Sequence, residues 1–123
     1  MDEIVAQDIL EHFPRARTQA ILQEWRRVLR TGGRLHIRVP NMEVLARFLI
    51  DPSYTPQWRG HLESEDNIIE NIYGGHRWGK DGRWDAHHWG WTKATMHRDL
   101  TLARFKVLHQ DDMPNFYTYA EKA

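Results

Sequence analysis

The pattern that most constrains this chain lies in its first forty residues. "DEIVAQDIL" sets Ile4, Val5 and Ala6 side by side without polar alternation, which suits a strand covered on both faces in a parallel sheet. "EHFPRART" interrupts the run, and Pro14 has the fixed φ that suits the first turn of a helix. From Arg15 to Arg30 the apolar residues Ile21, Leu22, Trp25, Val28 and Leu29 recur at helical spacing, with Glu24, Arg26, Arg27 and Arg30 largely outside that stripe. "TGG" then supplies a glycine stop. In "RLHIRVP", Leu35, Ile37 and Val39 alternate with Arg34, His36 and Arg38, and Pro40 closes the strand. Strand, helix and strand of these lengths imply a right-handed parallel crossover, so the fold class is α/β.

The rest of the chain extends that unit. Asn41 caps a helix with the stripe Met42, Leu45, Phe48 and Leu49, and "DPSYTPQWRG" is a loop with two prolines. Ser64, Asn67, Ile68, Ile69 and Ile72 predict a short helix stopped by Gly74-Gly75. Thr92 caps a helix through Ala103, and "FKVLHQ" and "NFYTYAEK" form an antiparallel hairpin across "QDDMPN". The expected sheet has about four strands, two parallel and then the hairpin, with flanking helices. At 123 residues, with no internal repeat or linker, residues 1–123 form a single domain.

Charge and cysteine content narrow the function. Seventeen basic side chains balance seventeen acidic ones, so nothing in the net charge calls for nucleic acid or an anionic membrane. The early arginines, Arg15 to Arg34, read as a solvated helix face. The absence of cysteine removes disulfides, thiolate zinc sites and thiol nucleophiles together. "MDEIVAQDIL" lacks the basic and apolar regions of a signal peptide, and no segment approaches the ~20 apolar residues of a membrane span. The expectation is a soluble, cytoplasmic protein with neither nucleic acid nor membrane as partner.

Two regions carry candidate chemistry. Asp8, Glu11 and His12 stand at the C-terminal end of the first parallel strand, where open α/β sheets place ligands, and Pro40-Asn41 end the second strand on the same rim. A carboxylate or imidazole there can accept a proton from a bound nucleophile. The second region, "YGGHRWGKDGRWDAHHWGW" from Tyr73 to Trp91, holds four of six tryptophans and three of eight histidines. A histidine zinc site needs three or four converging ligands, whereas adjacent His87 and His88 point to opposite faces of an extended segment. His76, Asp81 and Asp85 complete no recognised ligand spacing, so no metal site is expected. The tryptophans suit either a stacking platform for a sugar or cation, or a small core of their own.

Taken in order, "DEIVAQDILEHF", "ILQEWRRVLRTGGRLHIRVPN", "YGG", "DAHHWGWT" and a helix ending "LARF" give the chain a family likeness. Over nearly its whole length it resembles the C-terminal half of class I S-adenosylmethionine-dependent methyltransferases. The likeness is to the group with a strand ending in Leu-Glu-His and a helix closing on Arg-Val-Leu-x-x-Gly-Gly. The resemblance implies a partial Rossmann-like sheet, the fourth to seventh of seven strands. It implies a cofactor-side position for Asp8, acid–base positions for Glu11 and His12, and acceptor-binding positions for Asn41, Tyr73, Asp85 and His87, with His88 facing away. Arg104 stands at a glycine of the family, which implies an altered helix end.

In that family the glycine-rich turn and the acidic residue that hold the cofactor belong to the other half, and no Gly-x-Gly-x-Gly occurs here. S-adenosylmethionine is therefore expected only if that half is supplied, and autonomous methyl transfer is not expected. The unpaired edge from Glu3 to Asp8 predicts a homodimer, closed by a two-fold axis and binding an unknown small molecule without catalysis. Methyl transfer completed by another chain is the alternative, and a histidine-based metal hydrolase a more distant one.

Overall fold

The computed structural model describes residues 1–51, 53–54 and 64–123, so most of the two-proline loop expected from Asp51 onward lies outside the described residues. The chain runs β1 (Glu3–Gln7), α1 (Thr18–Val28), β2 (Arg34–Pro40), α2 (Met42–Ile50), α3 (Glu65–Tyr73), α4 (Lys93–Leu102), β3 (Phe105–Gln110) and β4 (Asn115–Lys122). The sheet order is β1-β2-β4-β3. β1 and β2 are parallel, with Ile4 opposite Leu35 and Ala6 opposite Ile37, and β4 is antiparallel to both of its neighbours. The α/β class, the parallel pair and the final hairpin are those expected.

Alternation along the strands decides where the core lies. Leu35, Ile37 and Val39 of β2 and Phe116 and Ala120 of β4 are buried, and they meet Leu22 and Leu29 of the first helical segment and Met96 and Leu100 of α4. Burying each such aliphatic side chain contributes roughly 1.5–3 kcal/mol. A smaller cluster, Val44, Leu45, Phe48 and Ile68, joins α2 to α3 beyond the strand ends. The opposite face of the sheet is aromatic and only partly covered. The His36 and Tyr119 rings lie 4.9 Å apart, and Tyr117 stacks on Tyr119 at 5.6 Å.

Three local expectations are corrected. β1 is not covered on both faces: Ala6 is buried against the core, but Val5 is 52 % exposed on the aromatic side. Among the described residues β1 is an edge strand, without the second neighbour that a central parallel strand has. The α-helix starts at Thr18 and not at Arg15, because Pro14 leads into a 3-10 turn over Arg15–Arg17. The end of α4 is not altered by Arg104. Arg104 itself takes the left-handed conformation (φ 65°), and its N–H donates to the Thr101 carbonyl at 3.0 Å. A side chain in that region costs about 1 kcal/mol relative to glycine.

One buried carboxylate ties these elements together. Asp99 on α4 is fully buried, accepts hydrogen bonds from Arg15 and Arg98, and receives the Trp91 indole N–H at 2.9 Å. Burial alone would raise its pKa, but the bonds from Arg15, Trp91 and Arg98 outweigh it and hold the carboxyl below its ordinary range. Among the described residues no helix is long and apolar enough to cross a membrane.

A depressed carboxyl pKa gives stability that is fully present above its unfolded value of about 3.8 and is lost as pH falls through the folded one. Urea unfolding at a series of pH values should therefore show stability dropping in the acid range. Asp99→Asn should flatten that drop and lower stability at pH 7 by about 3 kcal/mol. An unchanged acid limb in the variant would assign the pH dependence elsewhere.

Candidate functional site

The site forms where the chain leaves β1. Asp8 follows the strand in the left-handed conformation (φ 59°), its N–H donating to the Arg38 carbonyl at 3.1 Å and its carboxylate paired with the Arg38 guanidinium. The reversal carries the chain into a 3-10 turn, Leu10–His12, in which Leu10 enters the core. Glu11, beside it, is 1 % exposed.

The segment after α3 closes over this turn. Gly74 ends the helix at φ +84° and bridges to Ala86, and the His87 N–H donates to the Tyr73 carbonyl at 2.8 Å. The His88 N–H donates to the Glu11 carbonyl at 2.7 Å, joining the two segments directly. His12 Nδ1 lies 3.2 Å from the Ala86 carbonyl, and His87 Nδ1 lies 3.1 Å from that of Asn71. The two imidazoles meet edge to face with centroids 4.9 Å apart, and His12 Nε2 is 3.7 Å from Glu11 Oε1. These groups line a cavity of about 270 Å³ that also includes Asp8, Arg38, Asn71 and Asn115.

Burial sets the protonation of the cavity. It pushes the Glu11 carboxyl up to about 7; its own backbone amide opposes the rise and Asp8 adds to it. Burial also lowers His87, with neighbouring His12 acting the same way and the Ile72 and Asn71 carbonyls opposing. Two buried polar atoms have no partner among the described residues: Glu11 Oε2 and Asn71 Nδ2.

The cavity thus brings together Asp8, Glu11, His12 and His87, and leaves out the other three residues singled out from the sequence. Asn41 is buried as a helix cap, with Oδ1 accepting from the Val44 N–H at 3.4 Å and Nδ2 donating to the Met113 carbonyl at 3.3 Å. The Tyr73 ring is exposed, and its carbonyl alone reaches this region. Asp85 accepts the N–H groups of Arg77 and Trp78 and organises its own loop.

His87 lines the cavity while His88 is exposed, as their adjacency implied. The tryptophans make no core of their own: Trp91 is in the main core, and Trp78, Trp84 and Trp89 are exposed. Reading the sequence missed Arg38 and Asn71. Arg38 carried a faint signal, as an outward residue two positions before the end of a parallel strand. Asn71 carried none, since a polar residue on a short helix is ordinary.

Two cofactor types bear on these residues. Glu11, His12 and His87 each offer a ligand atom within 4.8 Å of the others, in a cluster different from the histidine set of the tryptophan-rich stretch. S-adenosylmethionine does not fit the described residues by themselves. Gly32 follows the first helix, Gly74 ends α3, and Gly79 and Gly82 lie in the loop after it, so none opens a strand-to-helix turn. The Asp8 carboxylate is already held by Arg38.

The fold is that of known methyltransferases. An O-methyltransferase family 2 protein from Planctomyces limnophilus, solved with apigenin, matches 99 % of this chain with a TM-score of 0.60 at 14 % identity. Human N-acetylserotonin methyltransferase, solved with S-adenosylmethionine, matches 99 % with a TM-score of 0.61 at 10 % identity. A S-adenosylmethionine-dependent methyltransferase from Methanosarcina mazei matches 99 % with a TM-score of 0.62 at 21 % identity. The chain spans 30 %, 29 % and 59 % of those three proteins. No protein-family model and no curated protein matches the sequence.

Gly74 offers a direct test of how the site is assembled. A Cβ there would stand 2.0 Å from the Asp85 carbonyl oxygen, at a φ that disfavours any side chain. Gly74→Ala should lower stability by about 2 kcal/mol or more and displace the His87 imidazole signals in NMR spectra. Unperturbed His87 signals in a folded variant would mean that this bridge does not position the histidine.

Proposed function

We propose that this chain is the acceptor-side part of an S-adenosylmethionine-dependent methyltransferase fold and does not transfer methyl groups by itself. The observation that carries this reading is the uncovered side of the sheet. β1 is at the sheet edge, and the face bearing Val5, His36, Tyr117 and Tyr119 is only partly covered. Parallel strands are ordinarily buried on both faces, so polypeptide that extends the sheet past β1 and covers the aromatic face completes the fold. That polypeptide holds the methyl donor, whether it belongs to the same chain or to another.

The cavity at the end of β1 then takes a small polar acceptor. Arg38 and the unpartnered Asn71 amide supply hydrogen-bond donors, while Glu11 and His12 are the groups able to take the acceptor's proton. Tyr73 and Asp85 act on this cavity only through the segment that carries His87, Tyr73 by its carbonyl and Asp85 by ordering the loop before it. A second reading rests on the same free edge. Two copies pairing through β1 form a closed two-fold dimer that binds a small ligand without catalysis.

Calorimetry and light scattering on the purified chain separate these readings. The chain alone is expected to give no saturable heat with S-adenosylmethionine, and micromolar binding would remove the need for a second polypeptide. A stable dimer that Val5→Lys disrupts supports the second reading; a monomer at millimolar concentration eliminates it.

A further inference from the structure

We infer that Glu11, His12 and His87 form a site for one divalent transition-metal ion, zinc by preference, with an open coordination position facing the cavity. The inference needs only this chain and stands apart from the proposed part in methyl transfer.

The two imidazoles are already oriented as ligands. The Ala86 carbonyl can only accept, so His12 Nδ1 carries the proton there, and the Asn71 carbonyl does the same for His87. Both Nε2 atoms are thereby left with a free lone pair. Backbone carbonyls on the far nitrogen are the usual supports of metal-binding histidines, fixing tautomer and ring plane before an ion arrives. His12 comes from the turn after β1 and His87 from the segment after α3, so their convergence is a product of the fold.

Glu11 supplies the independent indication. Its carboxyl is 1 % exposed, lines the cavity, and has one oxygen without a hydrogen-bond partner. An unsatisfied buried carboxylate oxygen is costly, and a bound cation is one partner that satisfies it. Each of the three residues offers one ligand atom, a ring nitrogen or a carboxylate oxygen, within 4.8 Å of the others. Tetrahedral zinc with bonds of about 2.0–2.2 Å needs them about 3.4 Å apart, a closure within reach of side-chain rotation. Glu11 Oε1 and His12 Nε2, at 3.7 Å, are nearly there.

The donor set selects the ion. Two imidazoles and one carboxylate suit zinc or a neighbouring first-row ion, whereas calcium and magnesium prefer all-oxygen shells. Three protein ligands leave a fourth position, the arrangement of an ion that engages a substrate or water. Asn71, whose Nδ2 has no hydrogen-bond partner, lines the same cavity.

The test uses the full chain stripped of metal and titrated with Zn²⁺, with Co²⁺ as a visible probe of tetrahedral ligation. One equivalent of zinc is expected to bind, and in the unmodified protein only the His12 and His87 Nε2 resonances should move to metal-bound values. Glu11→Gln and His87→Gln should each weaken binding by at least about tenfold. The pair His76→Gln and His88→Gln, which removes exposed histidines, should leave it unchanged. Circular dichroism of each variant separates a lost ligand from a lost fold. Absence of zinc binding by the folded chain overturns the inference, and so does zinc that shifts other histidines. Zinc binding without S-adenosylmethionine binding leaves it intact, so its failure and that of the methyltransferase reading are distinguishable.

Discussion

The carboxylate of Asp99 holds together the two chain segments on which the site depends. Arg15, three residues after His12, binds it from one side, and the Trp91 indole, four residues after His87, binds it from another. Both segments run through loops and short 3-10 turns, and Asp99 adds a tie to α4 to the burial of Leu10 and the His88–Glu11 hydrogen bond that also fix them. A buried carboxylate with several donors is directional in a way that apolar packing is not. The core decides that α4 lies on the sheet, and Asp99 decides where the turns beside it stop.

From that anchor the cavity follows with few further choices. The left-handed Asp8 reverses the chain, Leu10 sinks into the core, and Glu11 is drawn below the surface while His12 faces the incoming loop. The loop arrives in register because Gly74 admits the close approach of Ala86 and because His88 and Glu11 share a backbone hydrogen bond. The result is a pocket with more buried polarity than its own hydrogen bonds satisfy. Glu11 Oε2 and Asn71 Nδ2 are the two atoms left over. Native interiors seldom leave such groups unpaired, and a buried water, a bound ion or a catalytic role ordinarily accounts for them.

The two faces of the sheet differ. One face carries the core; the other presents an aromatic ladder and an exposed Val5 beside a free strand edge. Known proteins of this fold are longer, since the chain spans only 29–59 % of the three compared. A free strand edge beside a partly covered face is a surface to which further polypeptide can pair.

Much of this was legible from residues alone. Strand, helix and strand were written in the change of apolar period from a continuous run to 3.6 and then to 2, and Asn41 and Thr92 announced their helices by capping chemistry that is local. Asp8, Glu11 and His12 were legible as a site because they end a parallel strand. Adjacent His87 and His88 had to diverge in an extended segment. The resemblance already implied that His87 faces inward; the tertiary structure brought it to within ring contact of His12 across 75 positions of sequence. It kept Tyr73 and Asp85 out, since one uses only its carbonyl and the other spends its carboxylate on its own loop. It added Arg38 and Asn71. Period and capping are properties of neighbouring residues and survive in the sequence; convergence depends on long-range packing and on one buried carboxylate, which no local pattern encodes.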